Sequence, residues 1–317
     1  MIFNNSLSIF IKSAKYEILF KEFEIMRSKL FVPASRPELF QKAFNSLADG
    51  LSFDLEDSVR EDKKQEARLT LSAFLDSAEL LASNKVIIVR VNPMNTPYFS
   101  DDIAAVVRAG TNIINLPKME SAEQVELAVK AISAAEKANG TNADGKNPIR
   151  LLINIETPKS LRVAHELASA HERVAGLQLG LGDLFEPHGI NRKCASALEQ
   201  AMFATAMAAH EAGVAAYDGA YANIADKSGY EVEAQLAKNF GYEGKSCIHP
   251  SQIEIANTVF KPSQEEIDYS LRVMSAEAEA QKNSIGAFVV DGKMIDPPFT
   301  NRARDILNSA RSYGLIK

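Results

Sequence analysis

IRLLINIET (residues 149–157) and GLQLGLGDL (residues 176–184) decide the fold. Each is a short, mainly apolar run that closes with a carboxylate, Glu156 in one and Asp183 in the other. Strands apolar on both faces belong to parallel sheets covered by helices. The two runs start 27 residues apart, and a βα unit takes ~30 residues. One helix and two loops therefore fit between them.

Six more runs of this kind flank the pair. They are KLFVPA (29–34), GLSFDLED (50–57), KVIIVRVN (85–92), NIINLPKM (112–119), AAYDGAY (215–221) and GKSCIHP (244–250). The segments between runs have helical spacing. Residues 121–138, SAEQVELAVKAISAAEKA, open on a serine cap, and residues 198–213, LEQAMFATAMAAHEAG, stop at a glycine. Eight strand–helix units predict an α/β fold, a closed (β/α)8 TIM barrel. A doubly wound open sheet is the alternative, but no GxGxxG follows the first run. The barrel is expected over 27–260, after an N-terminal extension over 1–26. Residues 261–317 are expected to form a C-terminal helix, 264–282, and a lid.

Composition narrows the function. The chain has 317 residues, a net charge of −6 and 46% hydrophobic residues. An acidic chain lacks the basic face of a nucleic-acid binder. No run of ~18 apolar residues predicts a membrane span. The apolar stretch at 7–11 is too short for a secretory signal, which needs ~7–15 apolar residues, so the expected location is cytoplasmic. Two cysteines, Cys194 and Cys247, cannot build a disulfide framework, and the five histidines lack zinc-site spacing.

Barrel chemistry sits where strands meet their following loops. The polar residues there are Asp54, Glu56, Asp57, Arg90, Asn92, Lys118, Glu156, Asp183, Asp218 and His249. Glu156 and Asp183 close consecutive strands, which lie ~4.8 Å apart, so both can reach one magnesium ion. The competing reading is a structural network of these acids with Arg90 and Lys118. Arg90 suits a carboxylate or a developing oxyanion, or a salt bridge to the acids of DLED. His249 reads as a loop organiser. Arg27, Lys29, Arg36 and Lys42 form a basic cluster suited to phosphates or to a solvated face. Gly180 and Gly182 permit close backbone approach or a tight turn and do not form a dinucleotide fingerprint.

Eight motifs in order complete the reading: RSKLFVPASRPELFQKA (27–43), DLEDSV (54–59), VRVN (89–92), LPKMES (116–121), IETP (155–158), GLGDL (180–184), GYEGKSCIHPSQI (241–253) and GKMID (292–296). Together they resemble the citrate lyase beta-subunit-like family of magnesium-dependent carbon–carbon lyases, whose members include malyl-CoA and citramalyl-CoA lyases. The resemblance spans residues 27–310 and implies an acyl-CoA thioester substrate and one Mg2+. It implies that Glu156 and Asp183 hold the metal and that Asp54, Glu56 and Asp57 order waters around it. Arg90 is implied to contact the reacting end of the substrate. Arg36, Lys42 and the segment at Ser246 and Cys247 are implied to meet the thioester carrier. Asp296 is implied to be a catalytic acid delivered by the lid of a neighbouring subunit in a homo-oligomer, a trimer or hexamer with a shared active site. The implied reaction is retro-Claisen-type cleavage of a 3-hydroxy-3-carboxyacyl thioester, citramalyl-CoA before the alternatives. Those are citryl on an acyl-carrier protein, malyl-CoA cleavage, or malyl-CoA thioester hydrolysis. The first loop departs from the pattern, with Ala34 where relatives often carry glycine.

Overall fold

The computed structural model describes residues 26–142, 147–283 and 286–317, so the extension expected over 1–26 lies outside the described residues except for Met26. Eight parallel strands pair in chain order and close: β1 Ser28–Pro33, β2 Gly50–Asp54, β3 Val86–Arg90, β4 Ile113–Leu116, β5 Arg150–Ile155, β6 Val174–Leu179, β7 Ala215–Asp218 and β8 Gly244–Cys247. Closure is made by β8 against β1, with Ser246 level with Lys29. The helices of the barrel are α1 Phe40–Phe44, α2 Lys64–Leu75, α3 Ala78–Leu81, α4 Phe99–Val106, α5 Ala122–Asn139, α6 Pro158–Arg162, α7 Ala164–Ala168, α8 Leu181–Phe185, α9 Ala195–Ala212, α10 Lys227–Asn239 and α11 Ile253–Val259. Ser121 caps α5 by accepting from the Gln124 N–H, and Gly213 ends α9 in the left-handed region (φ 69°). A cap and a left-handed glycine satisfy end groups that the helix itself cannot.

Alternation sorts each strand's side chains between two cores. Leu30, Val32, Leu51, Phe53, Ile87 and Val89 face the helices in the main hydrophobic cluster. Met26, Ile88, Ile113, Leu152 and Tyr217 form a second, smaller cluster inside the barrel. Above that apolar floor the lumen turns polar toward the C-terminal ends of the strands. The run at 176–184 is not one strand. It divides at Gly180, and Asp183 falls in the first turn of α8.

Past the barrel, α12 (Gln264–Lys282) begins with a capping box between Ser263 and Glu266, and α13 (Pro297–Ser312) packs back against it. Between them β9 (Phe288–Val290) and β10 (Lys293–Ile295) form a hairpin whose two turn residues, Asp291 and Gly292, both have positive φ, as a type I′ turn requires. Val273, Val290, Ile295 and Ala303 give this arm a core of its own. The arm is tied down near its last helical turn, where Tyr313 lies 4.1 Å under the Arg27 guanidinium. Arg27 in turn pairs with Asp49 at 2.7 Å, just before β2 begins, at the N-terminal end of the barrel. Asp296 occupies the N-cap position at the other end of α13, its side chain making no capping hydrogen bond, 16 residues and roughly 24 Å of helix away.

Candidate active site

The register of the sheet sets Asp54 beside Arg90. The guanidinium forks onto that carboxylate, Nε to Oδ1 at 2.7 Å and Nη2 to Oδ2 at 2.8 Å. Burial opposes ionisation of Asp54, but Arg90 wins and holds its carboxyl below the usual range. Asp54 also accepts from the backbone N–H groups of Glu56 and Ser58, which shapes the turn after β2. The remaining Arg90 nitrogen reaches Glu56 at 2.8 Å and Asp57 at 3.5 Å. The pairing of Arg90 with the DLED acids is therefore realised, and the same pairing aims the guanidinium at the barrel mouth.

Glu56 is poorly served. Neither carboxylate oxygen makes a hydrogen bond despite the nearby Arg90, and Lys118 Nζ stands 3.5 Å away. Burial, with Glu156 and Asp57 adding like charge, pushes the Glu56 carboxyl up to about 8.

Glu156 follows β5 and is 2% exposed. Its backbone N–H donates to Ser160 Oγ at 3.0 Å, part of the capping box that starts α6. Its Oε1 accepts from the Lys118 N–H at 2.8 Å, and its Oε2 accepts from Asn154 Nδ2 at 3.1 Å. Lys118 presents that N–H from a left-handed backbone (φ 53°), a conformation that costs a non-glycine residue energy and collects at functional sites. Gly180 lies directly over the carboxylate. A Cβ there would stand 2.6 Å from the Glu156 Cβ and 2.9 Å from its Oε2, so the close approach expected at this glycine is real. Burial, reinforced by the negative charge of Asp183, pushes the Glu156 carboxyl up to about 7.

Five carboxylates (Asp54, Glu56, Asp57, Glu156, Asp183) thus share two cationic side chains, Arg90 and Lys118. Asp54, Glu56 and Glu156 are buried, Asp183 is half-buried and Asp57 exposed, and the lumenal Lys29 adds a third cation nearby. An excess of buried negative charge raises carboxyl pKa values or takes up a cation. The donors are hard oxygens, which fit magnesium. Among the described residues no three His, Cys, Asp or Glu side chains converge tightly enough to enclose a metal. Glu156 and Asp183 would supply two oxygens and leave the remaining positions to water and substrate, the habit of magnesium.

The other sequence candidates scatter. Arg36 and Lys42 are exposed at the loop and short helix after β1, where Arg36 pairs with Glu38 at 2.9 Å. The basic cluster expected with them does not form. Strand alternation sends Lys29 into the lumen, 1% exposed, and Arg27 sits at the opposite end of the barrel. Ser246 is fully buried, its Oγ without a partner. The Cys247 thiol points outward against Tyr230 (3.2 Å to its hydroxyl), and burial pushes it up to about 12. Asp218 also faces outward and pairs with Lys245. His249 caps a short 3-10 turn by accepting from the Ser251 N–H, the organiser role expected of it. Asp296 stands apart on the arm, with one buried oxygen lacking a hydrogen bond.

The sequence reading passed over Asn154, Ser160 and the backbone of Lys118. Asn154 carried a signal. It is a polar residue two before Glu156, on the same face of an otherwise apolar strand.

A family model described as HpcH/HpaI aldolase/citrate lyase matches residues 27–250. The citrate lyase subunit beta of Haemophilus influenzae is 35% identical over 296 residues, 91% of this chain and 98% of that protein. A (3S)-malyl-CoA thioesterase of Cereibacter sphaeroides is 34% identical over 293 residues, covering 90% and 95% of the two chains. Among solved structures, CitE of Mycobacterium tuberculosis in complex with magnesium, acetoacetate and coenzyme A superposes with a TM-score of 0.70. It shares 30% identity across 90% of this chain and 97% of that one.

Proposed function

The chain belongs to the HpcH/HpaI aldolase/citrate lyase family, and from that premise we propose that it is a magnesium-dependent carbon–carbon lyase of the oxo-acid-lyase type. Its substrate is a 3-hydroxy-3-carboxyacyl-CoA thioester, citramalyl-CoA first among them, and its products are acetyl-CoA and a 2-keto acid, pyruvate. The observation that carries this reading is the mouth itself, where five carboxylates meet two cations around Glu156 and Asp183. The solved relative bound to magnesium and coenzyme A supports the choice of ligands.

Glu156 and Asp183 hold the ion. When bound, it supplies Lewis-acid stabilisation to the carboxylate and hydroxyl oxygens of the substrate. Asp54, Glu56 and Asp57 would order water beside it, and the hydroxyl proton would pass through that water to one of these carboxylates. The carbon–carbon bond then breaks toward the thioester, and its electron pair becomes the enolate of acetyl-CoA. Arg90, locked by Asp54, offsets the charge developing on the thioester oxygen. Asp296 delivers the proton that converts the enolate to acetyl-CoA. In this reading the arm of one copy brings its Asp296 to the mouth of another in a homo-oligomer. Arg36 and Lys42 face the phosphates of the carrier.

Incubation with citramalyl-CoA, malyl-CoA and citryl-CoA, with magnesium or EDTA, tests the reading. Keto acid and acetyl-CoA should rise in step and vanish with EDTA. Free thiol without keto acid would mean hydrolysis, the reaction in the name of the malyl-CoA thioesterase relatives. Inactivity on all three would point to a citryl group on a carrier protein. For the shared site, mixed Asp296→Asn and Asp183→Ala protomers should regain part of the lost activity. No recovery after verified subunit exchange removes that part of the proposal.

A further inference from the structure

Directly beneath the carboxylates the lumen is lined by Lys29, Ser52, Asn115, Asn154, Gln178 and Ser246, each 4% exposed or less. This layer of a barrel is normally filled by Val, Ile and Leu, and polar groups in a dry interior cost free energy unless bonded. The bonding here has a direction. Asn115 Nδ2 donates to Asn154 Oδ1 at 3.1 Å, and Asn154 Nδ2 donates to Glu156 Oε2 at 3.1 Å. Asn154 and Glu156 share one face of the chain along β5. With its oxygen engaged by Asn115, the Asn154 amide has only its nitrogen to offer upward. Lys29 lies in the same layer but is bonded to Gln178 on β6, not to Glu156.

We propose that Asn154, held in orientation by Asn115, is a positioning residue for Glu156: it fixes the carboxylate from below and leaves its free lone pairs turned toward Asp183. The inference rests on the reading of Glu156 and Asp183 as metal-holding residues. The geometry suits it. Glu156 receives one donor on each oxygen, Lys118 N–H on Oε1 and Asn154 on Oε2. A carboxylate oxygen has two lone pairs, so one remains on each for a cation. Removal of a group that orients a metal-bound side chain typically costs ~10–100-fold in metal affinity.

The test measures Mn2+ or Mg2+ binding to the full-length protein by calorimetry, with thermal unfolding in EDTA alongside. Asn154→Leu, close in volume and unable to donate, should weaken the ion ~10–100-fold while the metal-free protein remains folded. Asn115→Leu leaves Asn154 in place but free to flip, and should weaken binding by less. If Asn154→Leu does not fold, Asn154→Ser, too short to reach Glu156, takes its place. A drop in unfolding temperature with unchanged ion affinity would overturn the proposal, since the layer would then only pack the barrel. Glu156→Gln separates the two readings. If it binds the ion as tightly as the parent, or if the parent binds none, the metal-holding role of Glu156 fails, and the positioning role falls with it. If Glu156→Gln loses the ion while Asn154→Leu keeps it, the positioning role alone is wrong.

Discussion

Two buried charge networks in this barrel use the same residue types to opposite ends. Behind β7 and β8, Lys245 pairs with Asp218 and with Glu233 at 2.7 Å, and Arg192 closes on Glu233 at 2.6 Å. Two cations meet two anions, the Gly219 carbonyl accepts from the same ammonium at 3.0 Å, and Lys245 and Asp218 are wholly buried. Such a set is complete and has no capacity for a ligand. At the mouth the acids outnumber the bases, one buried carboxylate has no hydrogen bond, and two are held well above their usual range. The lesson is that burial alone does not mark a functional charge cluster. Imbalance does, because it leaves charge for something outside the chain to neutralise.

The sharpest way to break this contrast is Asp183→Ala. It should abolish lyase activity with loss of magnesium binding, while circular dichroism and unfolding temperature stay close to the parent. Full activity in that variant would erase the distinction between the two networks. Lys245→Ala should do the reverse. Removing one partner of a buried, balanced set strands Asp218 and Glu233 and should cost ~3–5 kcal/mol of stability in urea unfolding, while the surviving folded protein binds magnesium normally.

Between these extremes stands Lys29, whose ammonium is buried in the lumen, hydrogen-bonded to the neutral Gln178 and set over the Phe31 ring, with no ion pair among the described residues. Burial, with Arg90 adding like charge, lowers its pKa well below the ordinary lysine value, although Asp54 and Glu156 oppose the shift. The unfolded chain therefore binds this proton more tightly than the folded one. The residue costs stability below about pH 10.4, the ordinary lysine pKa, and that cost fades as pH rises toward it. Lys29→Met should raise stability by ~1–4 kcal/mol at neutral pH, the range found when buried charges give way to apolar side chains. It should also flatten the rise of stability with alkaline pH. A destabilised Met variant would show that the ammonium is needed by the acids above it.

A last comparison concerns metal-free protein. Glu156 and Glu56 titrate near 7 and 8 when folded, above their unfolded values. The folded state then holds the extra protons, and stability falls as pH climbs from about 4.3, the ordinary glutamate pKa, through that range. In Lys29→Met, which lacks the opposing lysine titration, unfolding temperatures measured in EDTA from pH 5 to 9 should decline, and magnesium should restore the loss at the alkaline end. The balanced Lys245 network gives no such magnesium response.

Much of this was legible in advance, for definite reasons. All eight strands were readable because parallel strands covered on one side by helices and on the other by the lumen become apolar runs. The 264–282 helix was expected at its observed bounds, and the structure adds a capping box between Ser263 and Glu266 at its start. The pairing of Arg90 with the DLED acids was one of two options on sequence grounds, and register chose it by setting Asp54 beside Arg90. The split at Gly180 was legible only as one of two readings of that glycine, because LQLGLG continues the apolar pattern across the turn; the structure shows both the turn and the close approach to Glu156. The basic cluster failed for a similar reason. Arg27, Lys29 and Arg36 are close in sequence, but one strand carries them to one end of the barrel, its interior and the other end.

By itself the sequence determined the kind of molecule: which segments are strands, where helices begin, and which carboxylates end at the barrel mouth. These depend on spacing and on local hydrogen bonding, which neighbouring residues settle among themselves. Tertiary structure alone decided which charges are balanced. Whether Lys245 finds two acids, whether Glu56 finds a donor, and whether Asn154 meets Glu156 depend on strands brought side by side by barrel closure. Electrostatic and hydrogen-bond energies act at contact distance through space, and separation along the chain does not report it.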